Sequence, residues 1–152
     1  EISSIDAKLT SIMSIEDLQA SQPMTEQSEQ VLNTYDQAIL LIRKGRLNEA
    51  LSALNTFVQV NDDSDDTPLA YFWMGEINLT NGNLAVATQN YNTLVGLYPT
   101  HWKVPLAKFK LGTIYLEQGN DVRATAQFEN VIKEFPESSA AKASAETLSS
   151  LE

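Results

Sequence analysis

Apolar residues step along this chain at helical spacing. One stretch carries Leu69, Phe72, Trp73 and Ile77, and another Leu106, Phe109 and Ile114; each is the stripe of a packed helix. Asn81-Gly82 ends the first stretch and Gln118-Gly119 the second. Between alternating strands an Asn-Gly pair marks a β-hairpin. Between helical flanks the glycine instead supplies the positive-φ residue that closes a helix. A second helix is predicted from about Leu84 to Leu97, and again from about Val122 to Phe135. Tyr98-Pro99 and Phe135-Pro136 stop these helices, because the residue before a proline avoids the α region. Asp66 or Thr67 is placed to cap the next helix, with Pro68 in its first turn, where a missing N–H costs nothing.

The steps themselves repeat. Shifted by 37 residues, Gly45, Gly82 and Gly119 coincide, as do Ala50, Ala87 and Ala124. So do Leu54, Tyr91 and Phe128, and upstream Tyr35, Phe72 and Phe109 with Ala38, Gly75 and Gly112. A fixed period of this size signals a repeat architecture. Small residues at matched positions let two antiparallel helices approach, and Leu54, Tyr91 and Phe128 fill the space beside them. One such unit cannot bury its apolar face alone, so neighbours must stack. The order of glycine, glycine, alanine, aromatic and proline resembles the tetratricopeptide repeat, whose usual period is about 34 residues. The extra residues are expected in the link between units.

The expected fold is therefore all-α: a right-handed tetratricopeptide-repeat α-solenoid of three helix-turn-helix repeats, from about Gln30 to Pro136. A C-terminal capping helix follows, since Leu148, Ser149 and Leu151 fall 37 residues after Leu111, Gly112 and Ile114. The first unit has Val60-Asn61-Asp62 where the others have an aromatic and a proline, so its link is expected to be longer and looser. Residues 1–30 differ. Ile2, Ile5, Leu9 and Ile12 form a heptad seam that stops at Glu16. That seam is either a short amphipathic helix or the tail of a coiled coil cut off upstream. A polar, Gln-rich linker, LQASQPMTEQSEQ, leads from it to a repeat domain spanning 31–152.

Charge narrows the function. The 20 acidic and 10 basic residues give a net charge of −10. No basic stripe for nucleic acid is visible, and anionic membrane surfaces are disfavoured. No apolar run is long enough to span a bilayer. The chain has no cysteine, which removes disulfides, thiol catalysis and Cys-based zinc sites. It starts at Glu1, and we expect a processed or excised chain whose signal peptide is already gone. In NDDSDDTP, Asp62, Ser64 and Asp66 have the first spacings of a calcium loop, but Thr67 and Trp73 stand where that loop needs Gly and Glu. The segment reads as a solvated, helix-capping loop. His101, the one histidine, sits in an inter-repeat turn without a nucleophile motif nearby. No enzyme, metal or cofactor is expected.

What remains is a binding surface. The first helix of each unit lines the concave side of such a solenoid. Tyr35, Phe72 and Phe109 are read as a three-rung aromatic ladder open to this groove, with Leu69 beside it. Ile39, Glu76 and Thr113 follow one turn on, then Ile42, Leu79 and Leu116. The plainer alternative is that aromatics at helical spacing belong to the core. Tyr71 and Met74 are expected to face the partner helix, and Trp73 to lie between units. Arg43 is the only cation expected in the groove, flanked by Glu76 and Glu117, so a carboxylate clamp is not expected.

A narrower likeness rests on FWMGE, on Lys103-x-Pro105 with Lys110-Leu111-Gly112, and on Pro136 followed by Ser139-Ala140-Ala141. In these blocks the chain resembles the C-terminal domain of the YbgF/CpoB family over about Tyr35 to Leu151. The resemblance implies a non-enzymatic periplasmic scaffold that binds the inner-membrane protein TolA. It also implies a part in coordinating peptidoglycan synthesis, through a synthase complex, with outer-membrane constriction at division. In that family an N-terminal coiled coil trimerises the protein; most of that coil is missing here. The alternative reading is an adaptor of outer-membrane protein assembly, built from similar repeats.

Overall fold

Glycine closes the first helix of every unit. In this computed structural model, which describes residues 34–152, Gly45, Gly82 and Gly119 have φ of 73°, 78° and 76°. At the middle turn the Gly82 N–H donates to the Leu79 carbonyl (3.1 Å) and the Asn83 N–H to that of Asn78 (2.8 Å). This pair of bonds satisfies carbonyls that a helix end leaves open. The same pair recurs at Gly45 and Gly119.

Seven helices result: α1 Thr34–Arg43, α2 Leu47–Val60, α3 Thr67–Thr80, α4 Leu84–Leu97, α5 Val104–Glu117, α6 Asp121–Glu134 and α7 Ser139–Leu151. The described residues contain no strand. The middle unit is a 14-residue helix, a three-residue turn, a second 14-residue helix and a six-residue link; the third repeats these helices and the turn and reaches α7 through a four-residue link. Each helix packs on the next, and α7 lies against both α5 and α6. This is an all-α solenoid of three helix pairs with a capping helix. The readings made for residues 1–30 lie outside the described residues.

Small residues set the helix-pair spacing. Ala50, Ala87 and Ala124 are fully buried, and so are Leu54, Tyr91 and Phe128. The Tyr91 ring lies across Gly75, where a Cβ would meet its carbons at 2.6–2.9 Å. Phe128 lies across Gly112 in the same way. The core divides accordingly: one cluster joins Ala38, Leu54 and Phe57 to Met74 and Ile77, and another joins Phe72 and Tyr91 to Leu111, Ile114 and Phe128. Met74 thus packs on the preceding unit rather than on its partner helix α4.

Two local expectations are corrected. Neither Asp66 nor Thr67 caps α3 through its side chain. Asp66 already has helical backbone (φ −84°, ψ −14°), unlike the extended form that lets a cap residue reach back. The buried Thr67 hydroxyl instead donates to the Asn61 carbonyl. The first link is also no longer than the second: both span six residues. Asn61 (φ −130°, ψ 81°) takes up nearly the conformation of Tyr98 (φ −128°, ψ 58°) before its proline. The Asn61 side chain donates to the Phe57 carbonyl, and the Thr67 bond closes the link. Side-chain hydrogen bonds here do what proline does in the later links.

Candidate functional site

The helices α1, α3 and α5 contribute side chains to one face, and Tyr91 ties it together. Because Gly75 has no side chain, Tyr91 crosses α3 and its hydroxyl donates to Glu76 Oε1 (2.6 Å). Burial, reinforced by this bond to a carboxylate, pushes the Tyr91 hydroxyl far above its ordinary range, so it stays protonated as the donor. The Lys110 ammonium approaches the same carboxylate oxygen from α5 at 3.4 Å. Units two and three are thus joined across this face by a tyrosine, a carboxylate and an ammonium. Lys110 is therefore a cation on the face, where the sequence pointed only to Arg43.

The aromatic ladder is not a set of three open rungs. Phe72 is only 3% exposed. Its ring packs edge-on against Tyr91 (6.0 Å) and Trp73 (5.9 Å), and Lys103 Nζ sits 4.4 Å from its centroid. Tyr35 is half-buried against Phe57 (5.8 Å), and burial, opposed by a hydrogen bond from Trp73, raises its hydroxyl pKa. Phe109 is half-buried against Phe128 (5.6 Å). The rungs serve packing because a ring from the second helix of each unit, Phe57, Tyr91 or Phe128, leans onto them.

The other candidates divide. Ile42 and Glu76 meet in a depression of about 140 Å³ with Leu47, Trp73, Ile77 and Thr80. Leu79 and Leu116 are half-buried against the central core cluster. Ile39 is half-buried on α1, and the Thr113 hydroxyl donates to the Lys110 carbonyl (2.7 Å). Leu69 lies elsewhere, in the wall of a larger cleft. Trp73 and Lys110 are the face residues that sequence reasoning did not place there. Only their bonds to neighbouring units put them on it, so the register within one helix carried no signal for them.

The larger cleft, about 610 Å³, opens where the first two links meet the start of α3. Asp62, Asp63, Asp65 and Asp66 line one side, and Tyr98, His101 and Trp102 the other. The His101 ring stacks on Trp102 (5.4 Å, 29°), and its Nδ1 accepts from the Lys103 N–H (3.1 Å). Burial, with Lys103 adding to it, holds the imidazole pKa below its usual value. The Tyr98 hydroxyl donates to the Asp62 carbonyl (3.3 Å). No acidic or histidine cluster with metal-binding geometry occurs among the described residues.

Comparisons with known proteins place this architecture. Sequence profiles of the tetratricopeptide repeat match residues 35–101 and 106–138, which together take in most of the chain. No curated protein matches it in sequence. Among solved structures it is similar to MamA, with 21% identity and a TM-score of 0.61 over 76% of this chain and 64% of that one. It is also similar to a tetratricopeptide repeat protein from Parabacteroides merdae, with 19% identity and a TM-score of 0.64 over 77% of this chain and 43% of that one. The chain thus spans less than two thirds of either neighbour. The Yersinia enterocolitica type III secretion chaperone SycD, solved with a peptide of the translocator YopD, shares 13% identity and a TM-score of 0.66 over 80% of this chain and 88% of that one. At these identities the likeness is one of fold. The period, the glycine-closed helices and the profile matches agree, and the chain is a tetratricopeptide-repeat protein, built as a scaffold for protein–protein interaction.

Proposed function

We propose that this chain is a non-enzymatic scaffold of the periplasm that binds a TolA-type inner-membrane protein and links peptidoglycan synthesis to outer-membrane constriction during division. The observation that carries the narrower reading is the order of the FWMGE, Lys110-Leu111-Gly112 and Ser139-Ala140-Ala141 blocks, which resembles the YbgF/CpoB family. The face of α1, α3 and α5 supports a peptide-binding role. It offers an apolar depression at Ile42 and Trp73 beside the Glu76–Lys110 pair. An apolar pocket flanked by a few fixed polar groups suits an amphipathic segment. SycD, of the same fold, holds a peptide of its translocator.

The test is calorimetric titration of the whole chain with the soluble periplasmic region of TolA from the same organism, for wild type and for Ile42→Asp with Thr80→Arg. Binding that weakens in the variant while the helical signal is kept supports both the partner and the face. Unchanged binding keeps the partner and moves the site off this face. Absence of binding by wild type refutes the TolA reading and directs the search to outer-membrane assembly complexes.

A further inference from the structure

The cleft at the first two links is not explained by the solenoid's own needs. Trp102 forms part of its wall and is 69% exposed, an unusual position for so large an apolar ring. Its place is nonetheless defined, because His101 stacks on it and Lys103 Nζ lies 5.0 Å from its centroid. The volume of about 610 Å³ is within the range of ligand pockets. The step of 37 residues supplies a control within the chain. The matching pocket one unit on is lined by Pro105 and Leu106 where this one has Pro68 and Leu69, and it measures only about 150 Å³. It has Lys103 and Ser138 where the large cleft has Asp66 and His101, and no carboxylate lines it. The fold therefore forms a link pocket without needing carboxylates in it.

The character of the large cleft selects its occupant. Among the described residues no ion pair engages Asp62, Asp63, Asp65 or Asp66. Asp66 does not cap α3, and the set lacks metal-binding geometry. Burial raises the Asp66 carboxyl pKa, and the neighbouring Asp36 and Asp65 charges add to the shift, as expected where like charges crowd one wall. Facing it are the Tyr98 and Trp102 rings. Lys103, over the rings of Phe72 and Trp102, shows that this corner already accommodates an ammonium on an aromatic face.

We propose that this cleft is a second binding site, which takes a lysine or arginine side chain of a basic peptide segment between the Trp102 ring and the Asp62–Asp66 carboxylates. The site stands whichever protein the first-helix face binds. Charge complementarity would speed capture and set register, and the ring would add directional attraction for the cation.

The probe is hexalysine, followed by NMR on the intact chain, with acetylated hexalysine as a control. The two tryptophans, Trp73 and Trp102, give two indole N–H signals. Hexalysine is expected to move the Trp102 indole and the amides of residues 62–66, to leave the Trp73 indole in place, and to lose its effect on acetylation. Asp63→Asn with Asp65→Asn, and separately Trp102→Ala, are expected to weaken binding about tenfold, equivalent to roughly 1.4 kcal/mol. Glu129→Gln with Glu137→Gln removes the same net charge at exposed sites outside the cleft and is expected to leave binding unchanged. Equal weakening by the two charge-matched pairs would mean attraction to the acidic chain as a whole and would overturn the site. So would an unaffected Trp102→Ala, or no shift at residues 62–66. Because hexalysine contains no TolA sequence, these results are separable from failure of the TolA titration.

Discussion

Gly112→Ala tests how the helix pairs are spaced. A Cβ at Gly112 would stand 2.5 Å from Phe128 Cε1 and 2.9 Å from Cδ1 and Cζ. Phe128 is fully buried and its ring rests against Phe109, so it cannot swing away into solvent. Overpacking of this kind costs about 1–3 kcal/mol, and contacts this short to ring carbons argue for the upper end. Alanine's preference for helix over glycine returns about 1 kcal/mol, which leaves a net loss of about 2 kcal/mol. Phe128→Leu alone should cost about 1–2 kcal/mol through lost contacts and a residual void. The first unit, however, holds Ala38 and Leu54 at these two positions, both fully buried. Gly112→Ala with Phe128→Leu would therefore rebuild a pairing the chain already uses. Its expected loss is no more than about 1.5 kcal/mol, a favourable coupling of about 2 kcal/mol between the two sites. Urea denaturation of the four proteins, followed by far-ultraviolet circular dichroism, measures the cycle. A double variant that loses the full sum of the two single losses would falsify the cross-helix account of these positions.

Other consequences are simpler. Gly82→Ala should cost about 1–2 kcal/mol from backbone strain alone, because φ is 78° and a Cβ there meets nothing within 4 Å; Gly82→Asn should recover part of that loss in the same denaturation assay. Tyr91→Phe removes the donor to Glu76 and should cost about 1 kcal/mol, read as a lower midpoint, while an unchanged midpoint would deny the bond any net worth. The Lys108 ammonium, bonded to Glu134 at 2.8 Å, and the Asn130 amide hold the Glu134 carboxyl below the usual carboxylate range. A lowered folded-state pKa contributes stability above the unfolded pKa and loses it as pH falls through the folded value. Lys108→Met should accordingly raise the Glu134 pKa in an NMR titration, and a fixed pKa would show that the ion pair does not cause the shift.

The repeat made the helices legible to the residue in one case and nearly so in another. Leu84–Leu97 is the expected second helix of the middle unit. Asp121–Glu134 starts and ends one residue before the expected Val122 to Phe135. There the Asn120 side chain accepts from the Arg123 N–H (3.1 Å), a local bond that sets the start one residue earlier. Exposure on the first-helix face was less legible. The fate of Phe72 depends on Tyr91 from α4 and on Lys103 from the following link, which lie 19 and 31 residues away in the chain. Helical period alone tells which side of α3 a residue occupies, not what the neighbouring unit lays over it. The same limit hid Lys110, and it hid the cleft, whose two walls come from links one full repeat apart; Trp73 does lie between units, as expected, packed against both core clusters.

That division has a physical source. Positions whose residue type survives the 37-residue step are the ones the scaffold needs: glycine at the turn, alanine on the second helix, a large residue across a small one. Burial leaves each of them few alternatives, since a volume change in a close-packed interior is felt at once. Positions where the type breaks across the step are free of that demand. Asp65, Trp102 and Ser139 share one register and are all exposed, yet they are an acid, an aromatic and a hydroxyl. Glu76, Thr113 and Ile39 share another on the first-helix face. An exposed tryptophan or an unpaired aspartate contributes little to folding, so packing cannot account for its presence. In a solenoid the repeat thus separates the two problems within a single sequence: where the period holds it describes the fold, and where it fails on the surface it marks the side chains available to partners.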